Sequence, residues 1–183
     1  ELYFIALVPD KKLKKELQLI KEDFADKFHS HHALKLPPHI TLIPPFKIPL
    51  EKEEYLITKL KEVSNNEKPF SIKLSGYGSF KPRVIFIDVK NKKLVAKLFG
   101  RIKETLNDLS VEILAEKEDI IPHITIATRD LSREVYKRAW PQYSNRAFKG
   151  KFEVKDLVLF RHNGKHWEKV QGSFTFNYKD SED

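Results

Sequence analysis

The chain has 183 residues, 40% hydrophobic and 33% charged, with 6 glycines and 10 prolines, which excludes a disordered or collagen-like protein and fits one domain or two small lobes sharing a core. It contains no cysteine, so disulfide frameworks, thiolate zinc sites and cysteine nucleophiles are excluded, and an intracellular setting is the simpler expectation. Thirty-four Lys and Arg against 26 Asp and Glu give a net charge of +8, which favours polyanionic partners or phosphorylated substrates.

The first apolar run, Leu2 to Val8, is too short to span a membrane and lacks the basic flank of a signal peptide, so a cytoplasmic protein is expected. It reads as a buried strand stopped by Pro9. Asp10 is placed to cap a helix from Lys11 to Phe28, whose apolar stripe is Leu13, Leu17, Ile20, Phe24 and Phe28, with the intervening Lys and Glu as its wet face. His29, His31 and His32 read as loop residues before Leu36-Pro37-Pro38. A strand from His39 to Ile43 is expected to end at Pro44-Pro45, and a helix to follow over Glu51 to Val63. Phe70 to Leu74 alternates as a strand before a bend at Gly76-Tyr77-Gly78, and Pro82 precedes a strand from Val84 to Val89. Leu94, Leu98, Ile102 and Leu106 mark the next helix, Pro122 introduces a strand opening at His123, and Asp130 or Ser132 is placed to cap the helix after it. Two strands, Phe152 to Arg161 and about His166 to Tyr178, are expected to join at Asn163-Gly164, with Lys179 to Asp183 as a loose tail.

This order repeats. A strand, helix, strand, helix and strand beginning at Leu2 are matched by the same series beginning at Val84, with His39 and His123 at nearly equal distances from the two starts. The expected fold is α+β and bilobal: two lobes related by an approximate two-fold axis, each with an antiparallel-type sheet and outer helices, facing one another across a central cleft. The duplicated halves run over about 1–80 and 81–178 of a single 1–183 domain, with strands open to exchange between the lobes.

Within the repeat, Pro38-His39-Ile40-Thr41-Leu42 and Pro122-His123-Ile124-Thr125-Ile126 are the same phrase written 84 residues apart. Strand alternation places His39 with Thr41, and His123 with Thr125, on one face, while the aliphatic residues point to the other. Two imidazoles and two hydroxyls in one cleft suit phosphodiester chemistry. One neutral imidazole takes a proton from an attacking hydroxyl or water, the opposite imidazolium gives one to the leaving oxygen, and the threonines donate to the non-bridging oxygens. A single His-Ile-Thr-Leu would more often be structural, but recurrence at matching places of a duplication argues against that. Metal binding by two histidines lacks an Asp, Glu or Cys on the same face to complete a shell.

The paired motifs resemble those of the two-histidine phosphoesterases, which include the bacterial RNA 2′,5′-ligase-like proteins and cyclic phosphodiesterases. The resemblance covers nearly the whole chain, from Leu2 to Tyr178. It implies opening of 2′,3′-cyclic phosphate ends of nucleotides or RNA to a 2′-phosphate, reversible 2′,5′ ligation, or both, without metal or other cofactor. His39, Thr41, His123 and Thr125 would be the catalytic residues. In some relatives an arginine after the second motif touches phosphate, which implies that role for Arg129. Phe46 is a candidate to stack on a base at the mouth of the groove, with a core role as the alternative. Lys81, Arg83 and Arg161 stand near strand ends that can rim the cleft, or are simply solvated. The expected partner is a nucleotide or RNA with a cyclic phosphate or 2′,5′ linkage, bound by a monomer with no membrane contact. A module that binds phosphorylated RNA ends without turnover is the alternative.

Overall fold

A computed structural model describes residues 1–109, 111–113 and 120–178, and the expected tail at 179–183 lies outside them. β1 (Leu2–Leu7) is apolar on both faces because both are covered. Tyr3, Ile5 and Leu7 enter the main core, while Phe4 and Ala6 turn the other way to pack with Val158 and Phe160. α1 (Lys11–Phe28) starts where the Asp10 carboxylate accepts from the Leu13 amide at 3.0 Å. Its buried stripe is Leu13, Leu17, Phe24 and Ala25, and it includes Lys21, which is only 2% exposed. The expectation that every charge on this helix is solvated therefore fails at Lys21.

β2 (Ile40–Lys47) runs on through Pro44-Pro45 rather than ending there. The two prolines form a bulge: Ile43 pairs with Ile5 and Phe46 with Tyr3, so Pro44 and Pro45 together oppose Phe4 and no ladder amide is needed from either. α2 (Glu53–Asn65) follows. β3 (Phe70–Phe80) likewise passes through the expected bend, because Gly76, at φ 72°, takes up a second bulge in which Ser75 and Gly76 oppose Asp88 of β4 (Val84–Val89). α3 (Lys92–Asn107) buries Val95, Leu98, Ile102 and Leu106 and leaves Leu94 41% exposed, which shifts the expected stripe by one residue at its start. β5 (Glu112–Ile113) is a short partner of β2. β6 (His123–Ala127) leads to α4 (Arg133–Tyr143), capped by Ser132, whose hydroxyl accepts from the Val135 amide at 3.2 Å.

The expected strand from Phe152 to Arg161 is two strands: β7 (Lys149–Val154) pairs with β3, and β8 (Asp156–His162) pairs with β1. β9 (Trp167–Lys169) folds back on β8, and β10 (Phe174–Thr175) pairs with β8 as well. The strand order among the described residues is β10-β8-β1-β2-β6-β4-β3-β7. β7 and β8 stand on opposite flanks of that order yet are separated by Lys155 alone. One residue spans only about 3.3–3.6 Å of chain, so the two flanks are drawn together at this point.

The centre of the sheet is the antiparallel contact of β2 with β6, a single register pair, Ile40 opposite Ile124, both fully buried. On either side of it the repeat is symmetric, β1 beside β2 and β4 beside β6. β3 then lies beside β4, while the corresponding place beside β1 is filled by β8 from the end of the chain.

Gly78 is required by close approach. It pairs with Phe86, and a Cβ there would stand 2.6 Å from Phe86 Cζ. Gly78→Ala is expected to destabilise the protein by about 1–3 kcal/mol through overpacking, read as a lower urea midpoint with an unchanged slope. An unshifted midpoint would show that the Phe86 ring is free to move.

Candidate active site

The register at Ile40–Ile124 fixes the geometry of the site. Extending it one residue each way sets His39 beside Thr125 and Thr41 beside His123 on one face, with the two histidines diagonal neighbours about 7–8 Å apart between Cα atoms. Burial alternates identically through both motifs: Pro38 and Pro122 are buried, His39 and His123 half-buried, Ile40 and Ile124 buried, Thr41 and Thr125 half-buried. The aliphatic residues anchor the strands in the core and hold the polar ones toward the cleft.

Each imidazole is oriented by the same device. His39 Nδ1 lies 2.7 Å from the Pro37 carbonyl oxygen, and His123 Nδ1 lies 2.6 Å from that of Ile121. A carbonyl only accepts, so Nδ1 carries hydrogen in both rings, and Nε2 is left to work as acceptor when the ring is neutral and donor when it is charged. Aromatic walls complete the seats: the Phe4 ring is 5.4 Å from His39, and Phe80 and Phe86 are 5.0 and 4.9 Å from His123. Neither the Thr41 nor the Thr125 hydroxyl has a hydrogen-bond partner among the described residues, so both are open to a ligand.

The two histidines are not equivalent. Burial pushes His39 down to about 4, helped by the charges of Lys21 and His123 and opposed by the hydrogen bond to Pro37. His123 is also lowered, by burial first, but the carboxylate of Asp88 works in the other direction. Asp88 is the register partner of His123, and it also meets Lys90 at 3.2 Å and Lys92 at 3.1 Å. In the first half Leu7 pairs with Ile40 as Ile87 pairs with Ile124, so Val8 corresponds to Asp88. The repeat is broken at the position that faces the histidine.

A cleft of about 760 Å³ opens over this face, with His39, Thr41 and Thr125 in its wall; His123 is not among the wall residues, though its charge acts on His39. Arg129 lines it as well, though not as part of β6, which ends at Ala127; Arg129 sits in a left-handed turn at φ 57°. Phe46 does not face the cleft. The strand's passage through Pro44-Pro45 turns it into the core, where it is fully buried and stacked on Tyr3 at 5.9 Å. Lys81 and Arg83 are absent from the wall, and Arg161 is held by Glu53 at 2.8 Å and Glu168 at 3.1 Å.

Other residues of the wall are not singled out by sequence. Lys21 enters from α1, its Nζ donating to the Leu36 carbonyl at 2.6 Å, and burial pushes its ammonium down to about 8. Its spacing, four after Leu17 and three before Phe24, sets it on the buried stripe. His162, Lys165, His166 and Trp167 come from the β8–β9 hairpin, and His32 and Lys35 from the short turn before β2. Among the described residues the wall contains no Asp or Glu, and no group of three or more His, Asp or Glu is placed to hold a metal ion.

The chain matches the 2′-5′ RNA ligase superfamily over residues 9–166 and belongs to that family. It is 30% identical over 144 residues, 76% of each chain, to the "Putative phosphoesterase" of Geobacillus sp. strain WCH70, and 28% identical over 131 residues to that of Bacillus licheniformis, covering 69% of this chain and 70% of the relative. Its α+β fold is that of TT0787 of Thermus thermophilus, with a TM-score of 0.64 at 17% identity over 98% of this chain and 100% of that one. E. coli LigT complexed with 3′-AMP gives a TM-score of 0.63 at 16% identity over 94% and 97% of the two chains.

His39 binds its proton more weakly folded than unfolded, so its contribution to stability is full above the unfolded value near 6.5 and is lost as pH falls from there toward about 4. His39→Gln is expected to flatten the urea-derived stability curve across that window relative to wild type. Parallel curves would mean the ring is not held in its neutral form.

Proposed function

We propose that this chain is a phosphodiesterase that opens the 2′,3′-cyclic phosphate of a nucleotide or RNA end, with His39 as general base and His123 as general acid and no metal required. The observation that carries this reading is the pair of imidazoles, each fixed through Nδ1 to a backbone carbonyl with Nε2 left free. At neutral pH His39 is unprotonated and ready to accept; burial lowers His123 as well, and the Asp88 carboxylate partly offsets that, favouring the protonated fraction that can act as acid.

In the reaction, a water oxygen attacks phosphorus while Nε2 of His39 takes its proton. The bond from phosphorus to O3′ breaks, Nε2 of His123 delivers its proton to O3′, and a 2′-phosphate remains. Exchange with solvent then resets both rings. The unengaged hydroxyls of Thr41 and Thr125 donate to the two non-bridging oxygens, whose charge grows in the pentacoordinate state. A 5′-hydroxyl in place of water drives the same two groups through 2′,5′ ligation, and the reverse cleaves that linkage. A wall with no Asp or Glu among the described residues, and the +8 charge, suit an anionic substrate. The nucleotide complexes of LigT with 3′-AMP, NADP+ and ATP are consistent with a nucleotide in this fold.

Phosphorus NMR of 2′,3′-cyclic nucleotides and short RNAs, in excess chelator, is expected to show a 2′-phosphate product from the wild type. His39→Ala and His123→Ala are each expected to lower kcat by about 10²–10⁴; near-full activity in either would overturn the acid-base assignment. Asp88→Asn removes the charge that favours protonated His123 and releases Lys90 and Lys92, so the high-pH limb of the rate profile is expected to move to lower pH while the low-pH limb stays. A high-pH limb that does not move would detach Asp88 from the acid.

A further inference from the structure

We propose that the cleft carries a second phosphate subsite, formed by His32, Lys35 and Arg129, so that the preferred substrate bears another phosphate besides the one that reacts. The inference rests on the phosphodiesterase reading for the identity of the first phosphate, and on separate observations for the second.

The three side chains come from distant parts of the chain and are brought together by one carboxylate. Asp130 accepts from the Ser30 hydroxyl at 2.7 Å and from the amides of His31 and His32 at 2.7 and 2.8 Å, which ties the turn before β2 to the turn after β6. Its amide donates to the Thr128 carbonyl at 2.7 Å, closing a three-residue turn with Arg129 at its apex at φ 57°, a conformation that a non-glycine residue adopts at a cost. The clamp thus holds a strained arginine beside the segment that bears His32 and Lys35, and all three side chains line the cleft.

The cluster gathers positive charge at the cleft. Burial is the first cause that lowers His32, the nearby cations Arg129 and Lys35 add to it, and Asp130 opposes them. Asp130 spends its oxygens on Ser30 and two amides, and among the described residues neither Lys35 nor Arg129 has an ion-pair partner. Lys21 adds a further buried positive charge to the same wall, to which the described residues supply no carboxylate. Convergent cations with no counter-charge among the described residues fit an anion from solution. A cleft of about 760 Å³ has room for it beyond the reacting group.

The second phosphate can be the 5′-phosphate of a nucleotide or an internal diester of an oligonucleotide, and the test separates them. Steady-state turnover is compared for adenosine 2′,3′-cyclic phosphate, its 5′-phosphorylated form, and the dinucleotide ApA ending in a 2′,3′-cyclic phosphate. Alongside, calorimetry compares the binding of adenosine 3′,5′-bisphosphate with that of 3′-AMP. At least one two-phosphate substrate is expected to exceed the simple cyclic nucleotide about tenfold in kcat/KM, and which one does so names the source. The exposed variant Lys35→Gln is expected to shrink that ratio several-fold, and a thermal melt checks its fold. Equal kcat/KM for all three substrates, or a ratio indifferent to Lys35→Gln, overturns the subsite and leaves the phosphodiesterase reading standing. No turnover of any substrate, with tighter bisphosphate binding that depends on Lys35, overturns the reaction and supports the subsite; no turnover and no binding preference overturns both.

Discussion

Everything proposed for this protein depends on the hydrogen bond from each histidine Nδ1 back to the carbonyl two residues earlier, at 2.7 Å for His39 and 2.6 Å for His123. In both motifs the intervening residue is a buried proline, Pro38 or Pro122. Proline fixes its own φ and restricts the residue before it to extended conformations, so the accepting carbonyl is set in place by local chain stiffness. The bond selects the tautomer, turns Nε2 outward, and does so with backbone alone. Carbonyl partners leave the rings without a buried carboxylate, so their proton affinity is set by what else surrounds them.

What surrounds them differs, and a symmetric fold thereby acquires direction. The Ile40–Ile124 pair at the junction of β2 and β6 places the motifs on equal terms. Around that pair Val8 and Asp88 hold corresponding positions, and Lys21 reaches His39 from α1. Burial lowers both imidazoles, Lys21 adds to the effect at His39, and Asp88 resists it at His123. A duplicated order of elements supplies two like holders, and a few substituted positions set different surroundings for the two rings, on which the proposed acid and base roles rest. The Asp130 clamp is a second departure from symmetry, on the side of the cleft that gathers cations.

Much of the framework is legible in the sequence because it rests on short-range periodicity. The stripe of α1, the caps at Asp10 and Ser132, and the burial alternation through both His-x-Thr motifs follow from spacing alone. Where sequence and structure part, tertiary pairing overrides a local signal. Pro44-Pro45 and Gly76 look like terminators but occupy bulges, where the partner strand spares them a ladder hydrogen bond. Lys155 gives no sign that the chain leaves one flank of the sheet for the other. The β8–β9 hairpin brings four cleft residues from a segment whose sequence declares only a turn. Lys21 is detectable, since it interrupts an apolar stripe in phase. Phe46 is ambiguous from sequence because its orientation depends on whether the strand survives the prolines, and the bulge resolves it into the core.

Whether the two imidazoles share a tautomer but differ in proton affinity is read by nitrogen-15 NMR of the histidine rings across pH. Hydrogen is expected on Nδ1 of both neutral rings, with His39 titrating near 4 and His123 at a higher pH. Hydrogen on Nε2 of either ring, or a His39 more basic than His123, would contradict this expectation.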